Sequence, residues 1–475
     1  MEDSKYRNKD SVAIRRVNDI FFCMLRRKAG VRGLYYLQWL CGNRVGAILA
    51  IFILALTPES RMYGKTWERL KKALLNVNGL CYKDELCECG QAHRKKFHKM
   101  RREIGVDENQ GFNLIGYISA ELGIGEAARA MADAAFAADI PYSAVDVGFQ
   151  TSHRQMDRRA LHHATDKSYD IDIVYVNADH TPATLFYLDM REKPRAAYRI
   201  GYWHWEQTKF PDAFMNGFDG LDEIWVPTAF VQESISNVSP IPVAKMPHAV
   251  SFCVNAKWSR STFGIPENKF AVLVMYDFNS YSYRKNPEAA IAAFRRGLGG
   301  RSDVCLVIKT IDADKYPTEY ASLKQEIGDL ECVVLLDKTL SREQVYGLEV
   351  NCDCLLSLHR AEGYGLSIAE MMYLGKPVIA TGWSGNMEFM TPMNSFPVNY
   401  ELKPLAEPVG VYAAGPEWAE PDIEHAAKCL YVVIENAVLA KEIGRRAEHT
   451  IRSRFSPVAI GEKYKDRLAL IRTML

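Results

Sequence analysis

A strand, a glycine-containing loop, a helix and a second strand follow one another in the C-terminal half of the chain. Cys354–Leu358 is a short apolar run typical of a buried strand, and Val378–Ala380 is the next one. Between them the apolar residues recur at helical spacing up to Gly375, which is suited to end a helix in a left-handed conformation. Two carboxylates, Glu362 in the loop and Glu370 on the helix, stand eight positions apart.

The start of this helix is a predicted anion site. The backbone N–H groups around Gly365 and Leu366 have no partner inside the helix, and glycine lets the backbone approach a ligand closely. A phosphate bound there has a carboxylate on either side, which suits a sugar nucleotide. Glu370 would accept ribose hydroxyls, and Glu362 would hold hydroxyls of the attached sugar. The alternative is that both glutamates are solvated surface charges.

Strands alternate with helices in two separate series, which predicts two parallel sheets of the doubly wound type. The first series begins with the strand Phe112–Ile118 and the helix Gly125–Ala137, and the second begins with the strand Phe270–Met275. Further predicted strands are Ile173–Val176, Ala197–Tyr202, Glu223–Val226, Val304–Lys309 and Val333–Leu336. Two such domains that face each other leave a ligand cleft at the carboxyl ends of both sheets.

The predicted organisation has four parts, because 475 residues are too many for one ordinary core. Residues 1–107 form a basic helical extension. Residues 108–255 form an N-terminal Rossmann-like domain, and residues 256–440 form a C-terminal Rossmann-like domain. Residues 441–475 form helices that cross back to the N-terminal domain.

The first 110 residues differ in charge from the rest of the chain. They hold 22 Lys/Arg and 12 Asp/Glu, a net charge of +10, although the whole chain is formally +1. Cations alternate with aromatic residues beside the apolar run Val45–Leu56, which fits either a helix on an anionic membrane surface or an extension that packs on the main body. Twelve apolar residues are too few to span a bilayer, so no transmembrane helix is predicted. Nucleic-acid binding is disfavoured because no known module accompanies the charge.

The cysteines predict a reducing environment. The chain has 11, with no disulfide-framework spacing, and no secretory signal precedes them, so a cytoplasmic location is expected. Cys81, Cys87, Cys89 and His93 cluster within the extension. Their spacing is not a common zinc pattern, so reduced cysteines in a turn are favoured, with a metal site as the open alternative.

Together these features resemble the retaining glycosyltransferases of the GT-B type, and most closely the large family 4. The resemblance rests on the paired glutamates, the two tandem α/β domains and the break at residues 455–457 before the last helix, and it runs from about Gly111 to the C-terminus. It implies two facing Rossmann-like domains, of which residues 108–255 bind the acceptor and residues 256–440 bind the nucleotide-sugar donor. It also implies transfer of a hexose from a nucleoside-diphosphate sugar to a glycan or lipid-linked glycan, in cell-surface polysaccharide synthesis at the cytoplasmic face of a membrane. No metal or other cofactor is expected.

The resemblance also assigns roles to residues. Lys285 matches a lysine that neutralises the diphosphate, whereas Asn279 stands where many relatives carry an arginine, and Arg284 is the candidate replacement. His204 is expected near the sugar, and the donor base is expected near Asp337, with UDP and GDP as open alternatives. The expected catalytic residues are Glu362, Lys285, Arg284 and His204, and the expected donor-binding residues are Glu370, Gly363, Gly365, Leu366, Gly123, Gly125, Asn279 and Asp337.

Two other functions stay open at this point. Gly123 and Gly125 match the G-x-G-x-x-A pattern, and Asp146 follows about 20 residues on, as in an NAD-dependent oxidoreductase. The spacing argues against it, because the strand-end position that this fingerprint requires is held by Gly116. A catalytically silent scaffold with the same fold is the other alternative, and Asn279 in place of arginine slightly favours it.

Overall fold

The computed structural model describes residues 110–151, 153–191 and 195–475. The predicted basic extension, its apolar run and its cysteine–histidine cluster lie outside the described residues. The predictions about membrane-surface binding and about metal binding in this extension therefore stay predictions.

The first domain is a six-stranded parallel sheet with the strand order β2-β1-β3-β4-β5-β6. Its strands are β1 (Phe112–Gly116), β2 (Tyr142–Asp146), β3 (Ile171–Tyr175), β4 (Tyr198–Tyr202), β5 (Glu223–Val226) and β6 (Val243–Lys245). Its helices are α1 (Gly123–Ala137), α2 (Thr181–Asp189) and α3 (Ala229–Ser236). Strand β3 is buried along its whole length, as expected for a central strand covered on both faces.

The second domain is another six-stranded parallel sheet, in the order β12-β11-β10-β7-β8-β9. Its strands are β7 (Phe270–Met275), β8 (Val304–Thr310), β9 (Val333–Asp337), β10 (Cys354–Ser357), β11 (Val378–Thr381) and β12 (Phe396–Val398). Its helices are α4 (Ser282–Lys285), α5 (Pro287–Leu298), α6 (Pro317–Ile327), α7 (Arg342–Asn351) and α8 (Leu366–Tyr373). Because all strands of each sheet are parallel, each domain gathers its strand carboxyl ends at one edge.

An antiparallel hairpin and three helices complete the described chain. They are β13 (Tyr400–Pro404), β14 (Glu417–Pro421), α9 (Ile423–Glu435), α10 (Ala437–Arg454) and α11 (Pro457–Arg472). The last helix packs closely on α1 of the first domain, since a Cβ on Gly461 would lie 2.2 Å from the carbonyl oxygen of Ala134. The C-terminus of the chain therefore lies against the first domain.

The predicted fold class is confirmed: two doubly wound parallel sheets lie in tandem. The predicted strands Glu223–Val226 and Phe270–Met275 have the observed bounds, and Gly375 ends its helix with φ 70°. The four-part division at residues 107, 255 and 440 stays a prediction. Among the described residues, no helix is long and apolar enough to cross a membrane.

Candidate active site

The loop between β10 and α8 holds Glu362 between two cations. Lys285 Nζ forms an ion pair with the Glu362 carboxylate, and Arg284 Nη1 lies 3.5 Å from its other oxygen. The Glu362 N–H donates to Ser384 Oγ at 2.9 Å, and its carbonyl accepts from the Gly385 N–H at 2.8 Å. A Cβ on Gly385 would lie 2.2 Å from the carbonyl oxygen of Gly363 and 2.6 Å from that of Glu362, so this close approach requires glycine. The carboxylate is thus fixed by both its side chain and its backbone.

The charge of Glu362 is set by its neighbours. Burial opposes its ionisation, but Lys285 and Arg284 outweigh that effect and lower the pKa of Glu362 to about 2. Burial lowers the pKa of Lys285 from its usual value, although the Glu362 carboxylate opposes that change. Glu362 is therefore an anion at neutral pH and cannot serve as a proton donor there.

Helix α8 begins directly after this loop, at Leu366. Gly365 precedes it with φ 89°, in the left-handed region that favours glycine. The first N–H groups of the helix have no partner within the helix and carry the positive end of its dipole. Gly363 lies across from the first domain, where Thr228 Oγ1 donates to its carbonyl at 3.0 Å. The predicted anion site therefore lies where the two domains meet.

Glu370 lies on α8, 2% exposed, and is paired with Arg342 at the start of α7. Arg342 also lies 3.5 Å from Glu126 on α1 of the first domain, and Tyr346 donates to Glu126 at 2.9 Å. Burial raises the pKa of Glu370, and burial with the neighbouring Glu370 carboxylate raises the pKa of Glu349 well above its usual value. The predicted ribose-binding carboxylate thus belongs to a buried ionic cluster that joins both domains.

The space next to this cluster is small. A cavity of about 20 Å³ is lined by residues that include Glu126, Tyr346, Leu366 and Glu370. Pockets for drug-sized ligands are about 300–1,000 Å³. This cavity is therefore too small to hold a nucleotide. A larger cavity of about 420 Å³ lies at the amino ends of β8 and β9, away from the strand carboxyl ends.

Asn279 and Asp337 lie at the carboxyl edge of the second sheet. The Asn279 amide donates to Asp277 at 2.9 Å and to Asp312 at 2.6 Å, so two carboxylates surround the position where the resemblance leads us to expect an arginine. Asp337 accepts from Thr310 Oγ1 at 2.9 Å. The guanidinium of Arg284 points to the Glu362 loop and not to Asn279. Its Nη1 donates to the carbonyl oxygen of Ala361 at 2.9 Å.

The glycines of the first domain lie in the loop between β1 and α1. Strand β1 ends at Gly116, and α1 begins only at Gly123. A Cβ on Gly125 would meet the carbonyl oxygens of Ala120 and Tyr117 at 2.5 and 2.8 Å, so tight packing of this loop explains that glycine. A Cβ on Gly123 would meet nothing within 4 Å.

His204 follows β4 and reaches the Glu362 loop. A Cβ on Gly363 would lie 3.5 Å from His204 Cβ. The His204 N–H donates to Asn177 Oδ1 at 3.0 Å, and His204 Nε2 lies 2.8 Å from His248 Nε2. The structure thus brings together His204, Lys285, Arg284 and Glu362, and places Asn279 and Asp337 at another part of the same cleft.

Sequence reasoning did not identify three residues of this region. Arg342 contacts Glu126 across more than 200 positions, which no local pattern indicates. Ser384 holds the Glu362 N–H with φ 74°, a conformation uncommon for a residue with a side chain. Lys309 could have been found from the sequence, because it is a charged residue at the carboxyl end of an otherwise apolar strand.

Lys309 is 7% exposed, and its ammonium makes no ion pair or hydrogen bond within the described ranges. Burial lowers its pKa from 10.5 to about 8, although Asp277 opposes the change. The unfolded chain therefore holds this proton more tightly than the folded protein. The charge costs stability below about pH 8, and the cost disappears as the pH rises through the usual lysine pKa.

We expect Lys309→Met to raise the free energy of unfolding by about 1–3 kcal/mol at pH 7, and by less at pH 10. Urea unfolding at both pH values measures the difference. The exposed Lys338 supplies the control, because Lys338→Met should change stability little at either pH. If Lys309→Met is less stable than the wild type at pH 7, the Lys309 ammonium of the wild type stabilises the fold, and this account is wrong.

In the part of the chain that the structure describes, no group of three or more His, Cys, Asp or Glu residues could hold a metal ion.

Comparison with known proteins places this cleft in a class. Residues 259–395 match the family model of glycosyl transferases group 1. Among solved structures, the chain is similar to HepE of Anabaena in complex with UDP and glucose, with 15% identity, 76% of this chain and 99% of that chain covered, and a TM-score of 0.56. The chain is also similar to sucrose-phosphate synthase of Thermosynechococcus elongatus, with 12% identity, 77% of this chain and 100% of that chain covered, and a TM-score of 0.56. A glycosyltransferase of Rickettsia africae is similar as well, with 16% identity, 76% of this chain and 98% of that chain covered, and a TM-score of 0.54. A comparison with curated proteins finds no match.

The segment that matches the family model carries Lys285, Glu362 and Glu370. The fold is GT-B, as predicted, and the predicted class of enzyme, a glycosyltransferase, is confirmed. The oxidoreductase alternative has no support, and the long β1–α1 loop agrees with that outcome. The roles assigned to individual residues stay predictions.

Proposed function

We propose that this protein is a retaining, metal-independent glycosyltransferase of the family 4 type. It moves a hexose from a nucleoside-diphosphate sugar to a glycan or lipid-linked glycan. The observation that carries the proposal is the Glu362 carboxylate held by Lys285 and Arg284 at the start of α8, with Glu370 on the same helix. The complex of HepE with UDP and glucose supports a nucleotide-sugar donor.

The chemistry follows from the charges of the site. Breaking the bond between the sugar and the diphosphate develops negative charge on the leaving phosphate, and Lys285 with the amides at the start of α8 stabilises it. The acceptor hydroxyl attacks on the face that the diphosphate leaves, and the leaving phosphate takes its proton. Glu362 is ionised and contacts two cations, so it positions the sugar and does not donate a proton.

The test follows both products of one reaction. The full-length protein is incubated with UDP- and GDP-hexoses and a glycan acceptor, with and without EDTA. We expect release of one nucleoside diphosphate, a product whose anomeric configuration by NMR equals that of the donor, and no effect of EDTA. An inverted product, or activity lost with EDTA and restored by a divalent ion, contradicts the proposal.

A catalytically silent scaffold is the second candidate, and one observation favours it. Asn279 lies between two carboxylates where a cation would assist the diphosphate. A scaffold that kept the fold would bind a nucleotide sugar without releasing any nucleoside diphosphate. The assay above separates this outcome from transfer.

We further propose that the acceptor is met at the cytoplasmic face of a membrane, in cell-surface polysaccharide synthesis. This part rests on the basic and aromatic sequence of residues 1–107. Deleting them should weaken sedimentation with anionic vesicles and leave binding to neutral vesicles unchanged. Equal sedimentation of the full and shortened proteins would contradict the membrane role.

A further inference from the structure

Lys309 lies on the face of the second sheet that α7 and α8 cover. Side chains alternate along a strand, so Lys309 shares its face of β8 with Cys305 and Val307. Those two residues belong to one core cluster with Leu348 of α7 and Ile368 of α8. Lys309 is also the last residue but one of β8. Its side chain therefore starts at the carboxyl edge of the sheet, where ligands of doubly wound sheets bind.

Three carboxylates act on the Lys309 ammonium, and each of them is bonded to another group. Asp277 accepts from the side-chain amide of Asn279 at 2.9 Å and from its backbone N–H at 2.8 Å. Asp312 accepts from the same amide at 2.6 Å. Asp337 accepts from a threonine hydroxyl at the end of β8 at 2.9 Å. The ammonium thus lies among carboxylates but forms no ion pair with them.

The donors of this ammonium are unused. Only 7% of Lys309 is exposed, and Nζ has no hydrogen-bond partner within the described part of the chain, yet this atom is not fully enclosed. Burial lowers the pKa of Lys309 to about 8, so the charged form still predominates at pH 7. A buried charge without a partner is costly, and an anion within reach of Nζ would remove that cost. A negatively charged ligand is therefore the partner that this side chain lacks.

The neighbouring strand lacks a charge at the matching place. Strand β7 pairs with β8, and Met275 at the end of β7 lies opposite Lys309. Asn279 lies in the loop that follows Met275, where the resemblance leads us to expect an arginine. The two carboxylates that hold Asn279 are among those that act on Lys309, so both side chains lie at one part of the carboxyl edge. Lys309 can therefore supply from β8 the positive charge that the loop after β7 does not.

We propose that the Lys309 ammonium binds a phosphate oxygen of the nucleoside diphosphate, as a second cation besides Lys285. The inference rests on the proposed function, and it names a further binding residue of that site. Lys285 lies at the Glu362 loop. Arg342, which also acts on the Lys309 ammonium, is paired with Glu370, so Lys309 lies on the side of the predicted ribose carboxylate. Lys309 thus costs stability in the protein without ligand and contributes affinity when the ligand binds.

Calorimetry on the full chain tests the phosphate contact. Uridine, UDP, guanosine and GDP are titrated into the wild-type protein and into Lys309→Met. For the base that binds, we expect Lys309→Met to weaken binding of the diphosphate by about 10–100-fold and binding of the nucleoside by less than about twofold. Unfolding does not explain such a loss, because Lys309→Met is expected to be more stable than the wild type at pH 7.

Lys376→Met is the matched control. Burial lowers the pKa of Lys376 as well, but its Nζ donates to the Val350 carbonyl at 2.9 Å, and it lies beyond the C-terminal end of α8. This variant should keep the affinity of the wild type for both ligands. An unchanged affinity of Lys309→Met for the diphosphate, or an equal loss for the nucleoside, overturns the inference alone. If neither UDP nor GDP binds the wild-type protein, the donor of the proposed function fails as well.

Proton uptake supplies a second test, which starts from the wild-type protein. A bound phosphate favours the ammonium, so binding of the diphosphate at pH 8 should draw about half a proton from the buffer. The charged groups that act on Lys309 are Asp277, Asp312, Asp337 and Arg342, and neither carboxylates nor guanidinium groups ordinarily titrate near pH 8. Calorimetry in two buffers of different ionisation enthalpy measures the uptake, which should be largely lost in Lys309→Met. No uptake by the wild type, or the same uptake by Lys309→Met, overturns the phosphate contact.

Discussion

Replacing Glu362 by glutamine should reduce kcat/KM for hexose transfer by about 10²–10⁴-fold. The two side chains have nearly the same shape, so the change removes the negative charge and turns one acceptor oxygen into an NH2 donor without opening a cavity. Lys285 and Arg284 then lack their counter-charge, and the sugar hydroxyls lose an ionised acceptor. We expect affinity for the nucleotide sugar to fall more than affinity for the nucleoside diphosphate alone. Turnover with purified protein and calorimetry with both ligands measure this.

Stability must be separated from activity in this variant. The pKa of Glu362 is lowered from 4.5 to about 2, so its ionised form stabilises the fold above about pH 4.5, and this is lost as the pH falls towards 2. Removing the charge should cost about 1–3 kcal/mol at pH 7. Glu388→Gln is the matched control, because Glu388 is another buried carboxylate paired with a lysine, Lys245, at 2.6 Å. It should lose stability without a comparable loss of turnover. Near-normal transfer by folded Glu362→Gln would disprove the role of Glu362.

Replacing Lys285 by alanine is the second large expected effect, a loss of about 10³-fold in kcat/KM. Lys285 is the cation beside both Glu362 and the start of α8, where the proposed function puts the leaving diphosphate. Asn279 supplies no charge, and Arg284 is engaged with the Glu362 loop, so neither of them replaces it. Affinity for the nucleoside diphosphate should fall as well.

Two further variants make this result specific. Lys285→Arg keeps the charge and should recover part of the activity relative to Lys285→Ala. The recovery is partial because a planar guanidinium differs in shape from an ammonium. Lys245→Ala breaks the other lysine–glutamate pair and should leave turnover within a few-fold of the wild type. Equal losses in Lys245→Ala and Lys285→Ala would mean that the loss of a lysine–glutamate pair, and not the loss of a cation for the diphosphate, accounts for the effect.

Local patterns predicted most of the sheet architecture. The strands at Glu223–Val226 and Phe270–Met275 were correct because continuous apolar runs between turn residues are typical of buried parallel strands. The unit of β10, α8 and β11 was predicted because the period of the apolar residues changes from strand to helix. Gly375 stops the helix at φ 70°, as its position indicated.

The hairpin of β13 and β14 was not predicted, and its composition explains why. All five residues of Tyr400–Pro404 are exposed, so the strand has no apolar face that a pattern could reveal. It is held by its partner strand, where Trp418 is 2% exposed and donates to the Glu206 carbonyl of the first domain at 2.7 Å. A contact over more than 200 positions leaves no local signal.

The candidate site was predictable only in its local parts. Glu362 and Glu370 were recognised because both belong to one strand–loop–helix unit. The pairing of Glu370 with Arg342 and Glu126, and of His204 with His248, depends on how distant segments pack. The sequence shows Asn279 as a departure from the family pattern, but its two carboxylate partners depend on the packing of separate loops.

The most direct test of the donor site is a calorimetric panel of UDP, GDP, their hexose conjugates and NAD(H), with and without EDTA, on the wild-type protein and on Lys285→Ala. We predict that one nucleoside diphosphate and its sugar bind, that EDTA changes neither affinity, and that Lys285→Ala weakens both at least about tenfold. Binding of NAD(H) alone, or affinity for the nucleoside diphosphate unchanged in Lys285→Ala, would contradict a metal-independent nucleotide-sugar site at this cleft.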